Sequence, residues 1–237
     1  MPKLKRKKII IYSEAECRRI LKAARDYISH RNKKTTLRWD LLILVALQTG
    51  MRRGELLNLC WSDIDFDEYT IDVTPKDNTD ETWEWEIKDN EERTVPINKN
   101  TTQLLIDIQS KCPTGYPYLF IPQVRYDYIQ TELRPKGKWS YSDSRLKIVN
   151  NFYRQFDRIL LRAVIKKKGK FHDCRSTALS NWFAQGLSEY EIMRLAGHSS
   201  FETTHKFYLS IKKDYIDKAR QANSQQLGKL VRDWENV

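Results

Sequence analysis

The feature that most constrains the fold is a change in hydrophobic periodicity between residues 69 and 97 of this 237-residue chain. Three segments there alternate branched or aromatic residues with polar ones, as strands do: Tyr69–Val73, Trp83–Ile87 and Arg93–Ile97. The residues at positions 89 and 90, aspartate and asparagine, supply turn chemistry. The pattern predicts a small antiparallel sheet, with Lys88 at the hairpin between its last two strands.

Helical periodicity on both sides of this segment predicts that the rest of the chain is mainly α-helical. The run Ser13-Glu14-Ala15-Glu16 forms a capping box that opens the first helix. Further helices are expected over residues 36–48, 53–59, 98–112, 144–167, 171–185, 188–195, 201–208 and 212–226, and irregular surface over 113–138. The predicted fold class is therefore α+β, mainly α-helical, with a three-stranded antiparallel sheet. The expected organisation is a basic arm over 1–12, one domain over 13–227 and a tail over 228–237.

The amino-acid composition narrows the classes of molecule that this chain could bind. The chain carries 42 Lys and Arg against 31 Asp and Glu, a formal net charge of +11, which favours a polyanion, either nucleic acid or an anionic membrane surface. The longest apolar run, Leu41 to Leu47, is far shorter than the roughly 18 residues of a membrane span. The 4 cysteines show no C-x-x-C spacing, which indicates free thiols in a reducing compartment rather than disulfides or a zinc site.

A set of polar residues suited to phosphodiester chemistry is spread along the chain. It comprises Arg52 in T-G-M-R, His172 and Arg175 in H-x-x-R, His198 in G-H-S-S, and Tyr208 ten positions after His198. Arginine binds phosphate oxygens bidentately and stays charged, so two arginines and a histidine could stabilise a pentacoordinate phosphate without a metal. A tyrosine hydroxyl, with a pKa of about 10, needs a base to attack, and a hairpin lysine such as Lys88 suits protonation of the leaving oxygen.

Each of these signals is weak alone. An H-x-x-R pair is usually a salt-bridged helix face, a turn lysine is usually just solvated, and Arg52 could simply pair with Glu55. Their order along the chain, ending in G-H-S-S, T-T and a tyrosine, makes a chance assembly very improbable. The whole set points to an enzyme that cuts and rejoins DNA through a covalent phosphotyrosine.

On these motifs the chain resembles the catalytic domain of the tyrosine recombinase, or phage integrase, family, over about Ser13 to Ser210. The first arginine box is similar to residues 49–57 followed by 61–65. The lysine hairpin resembles Lys88 with the R-T-V-P-I run at 93–97, and the second box resembles residues 172–175 and 196–200. The resemblance implies a nucleophile at Tyr208, although Phe207 occupies an alternative spacing one residue earlier.

The resemblance also implies the other roles. Arg52, Arg175 and His198 would hold the phosphate oxygens, Lys88 would protonate the leaving 5′-oxygen, His172 would assist deprotonation of Tyr208, and Glu55 would orient its neighbours. No cofactor and no metal are expected. The implied partners are double-stranded DNA and accessory DNA-bending or excision factors. The implied assembly is a monomer or dimer when free and four protomers on two duplexes, with the C-terminal helix docking on a neighbour. The implied location is cytoplasmic and nucleoid-associated, in a prokaryotic or virus-infected cell, without a membrane partner.

Two other functions stay open at this point. A type IB topoisomerase-like enzyme uses the same Arg, Lys, His and Tyr chemistry to relax DNA. A DNA-binding accessory protein could keep the fold and lack the activity, although every catalytic position is filled here.

Overall fold

The computed structural model describes residues 9–29, 36–88, 92–140, 142–143, 148–149 and 151–211. Within these ranges the α-helices are α1 Glu14–Ser29, α2 Trp39–Thr49, α3 Arg53–Leu57, α4 Lys99–Gln109, α5 Gln123–Tyr128, α6 Phe152–Arg162, α7 His172–Ala184, α8 Glu189–Ala196 and α9 Phe201–Ile211. The strands are β1 Ile64–Asp65, β2 Thr70–Val73 and β3 Arg93–Pro96. None of the helices in the described part of the chain combines the length and the apolarity that crossing a membrane requires.

The helix ends predicted from local sequence signals agree with the structure. Ser13 accepts from the Glu16 N–H while its own N–H donates to the Glu16 carboxylate, which confirms the predicted capping box at the start of α1. Ser188 and Glu191 make the same reciprocal pair at the start of α8. The helices predicted over 36–48, 98–112, 171–185, 188–195 and 201–208 are confirmed as α2, α4, α7, α8 and α9, with small shifts of their ends.

The predicted sheet has the right size and orientation but one wrong member. β2 lies between β1 and β3, antiparallel to both, with Ile71 opposite Ile64 and Val95. The predicted strand Trp83–Ile87 forms only an isolated bridge, between Trp85 and Lys76. Its alternation instead reflects burial of every second side chain, Trp83, Trp85 and Ile87.

The prediction of irregular surface over 113–138 is wrong. Tyr118 to Ile121 are buried, and α5 continues into a π-helical turn, Ile129–Leu133, whose Ile129 is fully buried. This segment packs on Trp83, whose ring stacks on Tyr118 at 4.4 Å between centroids. The short apolar stretches of this segment are separated by Pro and Gly, so its sequence pattern does not predict that it is buried.

The remaining predicted elements lie partly or wholly outside the described residues. The helix predicted over 144–167 is α6, which begins at Phe152; residues 144–147 and 150 lie outside the described ranges. The predicted helix over 212–226, the tail and most of the basic arm also lie outside them. The core that positions the site joins α2 to α6 and to the start of α7, through Trp39 against Phe152, Phe156 and Phe171.

Candidate active site

The end of α2 places Arg52. Gly50 ends the helix in the left-handed region, at φ 59°, and a Cβ there would meet Leu179 Cδ1 of α7 at 2.9 Å. The chain therefore turns where α2 and α7 touch, and glycine satisfies both the backbone angle and the close approach. Arg52 follows as the N-cap of α3, and its N–H donates to Glu55 Oε2 at 2.6 Å.

Arg175 comes from the first turn of α7 and is 4 % exposed. Its Nη1 donates to Gly50 O at 2.8 Å and its Nη2 to Ala196 O at 2.7 Å. Burial, followed by the charge of Arg52, lowers the pKa of Arg175 to about 9, against a favourable effect of Glu55. Arg175 therefore stays charged at neutral pH, with both terminal nitrogens held by the backbone.

The C-terminal end of α8 gathers three arginines. Three consecutive carbonyls there each accept from a different guanidinium: Leu195 O from Arg93 Nε at 2.9 Å, Ala196 O from Arg175 Nη2 at 2.7 Å, and Gly197 O from Arg52 Nη2 at 2.6 Å. The last carbonyls of a helix lack intrahelical partners and carry partial negative charge. The helix end is therefore a ready acceptor for cations, and it sets the spacing of the three side chains.

Glu55 is the carboxylate of this group and is 3 % exposed. It binds Arg52 Nη1 at 3.0 Å and Arg93 Nη2 at 2.6 Å. Burial on its own would raise the pKa of Glu55, but the charge and hydrogen bonds of Arg93, then the charge of Arg175, outweigh it and the pKa is lowered. We call Arg52, Arg93, Arg175 and Glu55 the arginine cluster; its net charge is +2.

His198 follows directly after the Gly197 turn. Its Nδ1 lies 2.8 Å from Oγ1 of Thr204, a fully buried residue of α9. Burial, then the charges of Arg175 and Arg52, lowers the pKa of His198 to about 3. The imidazole is therefore neutral at physiological pH, and when the threonine hydroxyl donates to Nδ1 the Nε2–H is left as a donor.

A cavity of about 780 Å³ opens beside the cluster. His172, Arg175 and His198 form its polar wall, and Ile9 and Leu179 contribute apolar surface. Helix α9 supplies the other side: Glu202, Thr203, His205, Lys206, Phe207 and Leu209. His172, the first residue of α7, is exposed. The cavity thus places the exposed imidazole of His172 beside the Arg175 guanidinium and the His198 imidazole.

Lys88 lies on the other side of Arg52. It is exposed and lines a smaller cavity of about 200 Å³ together with Arg52, Glu55 and Trp85. The next residues, 89–91, lie outside the described ranges. Lys88 and Arg52 therefore line the same small cavity, although the predicted second strand of the Lys88 hairpin, Trp83–Ile87, does not form.

Tyr208 is the one predicted site residue that the structure does not bring to these cavities. It is half-buried on α9, with its ring 5.0 Å from that of Phe183 at the end of α7. Its neighbour Phe207 lines the larger cavity and also stacks on Phe183, at 6.2 Å. Of these two neighbouring aromatic residues, Phe207 lines the cavity, whereas the Tyr208 ring packs on Phe183.

The sequence does not predict two residues of the site. Arg93 lies within the R-T-V-P motif and Thr204 within the T-T pair between His198 and Tyr208, and neither motif assigns a contact to them. Their positions inside those motifs were the available signal, but their partners come from other elements. Within the described ranges no group of three or more His, Cys, Asp or Glu could hold a metal ion.

Comparison with known proteins settles the relationship. The sequence model of the phage integrase family matches residues 12–214, which is most of the chain. The chain belongs to the phage integrase family. Among curated proteins of related sequence is a tyrosine recombinase XerC-like protein of Caldanaerobacter subterraneus subsp. tengcongensis, 29% identical over 217 residues, which cover 84% of this chain and 50% of that protein. Transposase A from transposon Tn554 of Staphylococcus aureus is 26% identical over 180 residues, 74% of this chain and 44% of that protein.

Solved structures of the family share this fold. The XerA recombinase aligns with a TM-score of 0.60 at 22% identity, over 94% of this chain and 66% of that one. The catalytic domain of bacteriophage HP1 integrase aligns with a TM-score of 0.55 at 20% identity, over 92% and 96%. The chain spans about half the length of the curated relatives it matches. The predicted fold class, a tyrosine recombinase catalytic domain, is confirmed.

Proposed function

We propose that this family member is a site-specific DNA recombinase or integrase that cleaves and rejoins strands through a 3′-phosphotyrosine on Tyr208. One observation carries the proposal: Arg52 and Arg175 are fixed on consecutive carbonyls of α8, beside a neutral His198. Donors fixed before reaction around developing phosphate charge are usually the largest catalytic contribution. In this arrangement the protein itself stabilises the pentacoordinate phosphate.

The proposed reaction uses the remaining residues for proton transfer. The Tyr208 oxygen attacks phosphorus, forming the phosphotyrosine bond and breaking the bond to the 5′-oxygen. His172 accepts the tyrosine proton, because it faces the cavity and is open to solvent. Lys88 gives a proton to the departing 5′-oxygen from the Arg52 side. Rejoining reverses these steps, so no nucleotide cofactor is needed.

Double-stranded DNA is the proposed partner. The net charge of +11 suits a polyanion, and binding through phosphates should weaken steeply with salt. Two relatives of the same fold, the Tn1549 transposon integrase and XerH, have been solved with DNA. We extend the proposal to a tetramer on two duplexes, to accessory DNA-bending factors and to a nucleoid-associated place in the cytoplasm. A mobile genetic element is the proposed setting, since relatives include a transposase.

The alternatives have less support. A type IB topoisomerase-like activity uses the same chemistry, but the curated relatives are recombinases and a transposase. An accessory DNA-binding protein of this fold would not need Arg52, Arg175 and His198 to be held so closely together. Strand exchange between two duplexes, rather than relaxation of one, separates the first alternative from the proposal.

The test is a covalent trap. Full-length protein is mixed with nicked suicide duplexes tiled across the DNA that flanks its gene, quenched with SDS and examined for a protease-sensitive adduct. Tyr208→Phe should abolish the adduct and retain DNA binding. Tyr190→Phe is the matched control, since Tyr190 lies 62% exposed on the neighbouring α8 and should react like the parent. An adduct that survives Tyr208→Phe contradicts the assignment of the nucleophile.

A further inference from the structure

We propose that Arg93 is a positioning residue for strand cleavage, which ties Glu55 to the end of α8 and so fixes Arg52 and the turn that carries His198. This inference rests on the proposed function. Arg93 stands at the start of β3, which follows Lys88 in the sequence. It therefore connects three parts of the site that are far apart in sequence.

The contacts of Arg93 leave it little freedom. Its Nη1 and Nη2 bind Glu55 Oε1 and Oε2 at 3.1 and 2.6 Å, a bidentate pair, and its Nε binds Leu195 O at 2.9 Å. The side chain is 5% exposed. A buried bidentate arginine fixes both the position and the plane of its carboxylate partner.

Gly197 shows how closely this side chain fits. A Cβ at Gly197 would lie 2.7 Å from Arg93 Nη1 and 3.0 Å from its Cζ, and the residue has φ 62°. The turn that presents Gly197 O to Arg52 and leads into His198 is therefore packed directly on the Arg93 guanidinium. Moving Arg93 would displace the turn and Glu55 together, and with them both supports of Arg52.

Arg93 also sets the charge that the phosphate meets. Glu55 shared between Arg52 and Arg93 leaves the cluster at +2, whereas Glu55 paired with Arg52 alone would leave it at +1. Loss of Arg93 would also remove the main influence that lowers the pKa of Glu55 against its burial. The carboxylate would then bind Arg52 more strongly at neutral pH and become protonated at a higher pH than in the parent.

The experiment compares Arg93→Met, Arg93→Lys and the control Arg125→Met in the full chain. Arg125 matches Arg93 in donating its Nε to a backbone carbonyl, Ile148 O at 2.9 Å, from helix α5. On the nicked duplex that traps the parent, Arg93→Met should slow adduct formation about 100-fold, with DNA affinity within about threefold. Arg93→Lys, which keeps the charge, should recover about tenfold of that loss, and Arg125→Met should react like the parent.

Two readouts separate positioning from general destabilisation. The parent-to-Arg93→Met rate ratio should change as the pH is lowered, because the Glu55 carboxylate becomes protonated at a higher pH in the variant than in the parent. Equal melting temperatures with slow cleavage would support the same conclusion. Adding Glu55→Gln to Arg93→Met should restore part of the rate, since the uncompensated carboxylate is gone. Parent-like cleavage by Arg93→Met, or a constant ratio with Lys no better than Met, would overturn the proposal.

A DNA-independent measurement keeps this test apart from that of the function. Inorganic phosphate is added to ¹⁵N-arginine-labelled protein, and the Nε resonances of Arg52 and Arg175 are followed. Arg93→Met should weaken phosphate binding about tenfold, and Arg93→Lys less. A parent that forms no adduct but binds phosphate in an Arg93-dependent way would refute the cleavage function alone. Phosphate binding that is the same in the parent and in Arg93→Met would refute the role of Arg93. If Arg93→Met fails to fold, the same comparison is made with Arg93→Lys, and equal binding again refutes the role.

Discussion

The arginine cluster and helix α9, which carries Tyr208, are held in different ways, although Arg175 of the cluster and α9 line the same cavity. Each guanidinium of the cluster donates to a carbonyl at the end of α8, and two of them also share a buried carboxylate. Helix α9 is held more loosely: Phe201 and Leu209 are half exposed, and its His205–Glu189 pair lies near solvent. In the proposed mechanism, the half that would stabilise charge is thus built in advance, and we expect the half that carries the proposed nucleophile to be the more adjustable.

This difference has a chemical reason. Electrostatic stabilisation works best when the dipoles do not reorganise during the reaction. A nucleophile, in contrast, must approach phosphorus in line, and the proposed nucleophile, Tyr208, packs on Phe183. Elements that move in function come from the less densely contacted parts of a protein. The bond between His198 and Thr204 joins the two halves.

The largest effect is expected within the fixed half. Arg175→Ala should slow adduct formation about a thousandfold, because it removes the guanidinium that we propose as a phosphate donor and that Gly50 O and Ala196 O hold in place. DNA affinity should stay within about fivefold, since this is one phosphate contact among many. Rates on the trapping duplex and salt-matched binding isotherms provide the check. Equal losses of cleavage and binding would contradict a catalytic role.

An intermediate effect is expected where the halves meet. Thr204→Val keeps the shape of a fully buried residue but removes the hydroxyl that orients His198 Nδ1, so adduct formation should fall about tenfold. Thr204→Ser restores the hydroxyl and serves as the matched control. Should Val and Ser react at the same rate, the hydrogen bond does not couple α9 to the cluster.

The smallest effect concerns stability and pH. Because the pKa of His198 is about 3 in the folded protein and near 6.5 when unfolded, the unfolded chain gains a proton first as pH falls. Stability from this group is complete above about pH 7 and is lost towards pH 3, which amounts to about 1 kcal/mol, or ~3 °C, at pH 5.5. His198→Gln should therefore lose less melting temperature than the parent between pH 7.5 and 5.5. An identical loss in both proteins would place the ionisation elsewhere.

Much of the site could be predicted from sequence because its signals are local. Gly50 and Gly197 mark helix ends, and the motifs around Arg52, Arg175 and His198 lie at those ends. The pairing of Arg93 with Glu55, 38 residues apart, and with Leu195, 102 residues apart, has no local signature. Strand β1 is two residues long, too short for alternation to show. The packing of α5 on Trp83 depends on contacts between distant segments in the same way.

The position of Tyr208 shows the same limit at the most important residue. Spacing from His198 predicts Tyr208 as the nucleophile, but the direction of a side chain on α9 depends on packing against Phe183, which no local pattern encodes.

The measurement that tests the central claim most directly is amide hydrogen exchange, followed by mass spectrometry, on the full chain with and without the duplex that traps it. Peptides covering 49–57, 172–179 and 192–198 should be strongly protected in the free protein and change little on binding. Peptides from α9 should exchange faster in the free protein and gain protection with DNA. A free protein in which α9 is as protected as the cluster, or a cluster that becomes protected only with DNA, would contradict the account.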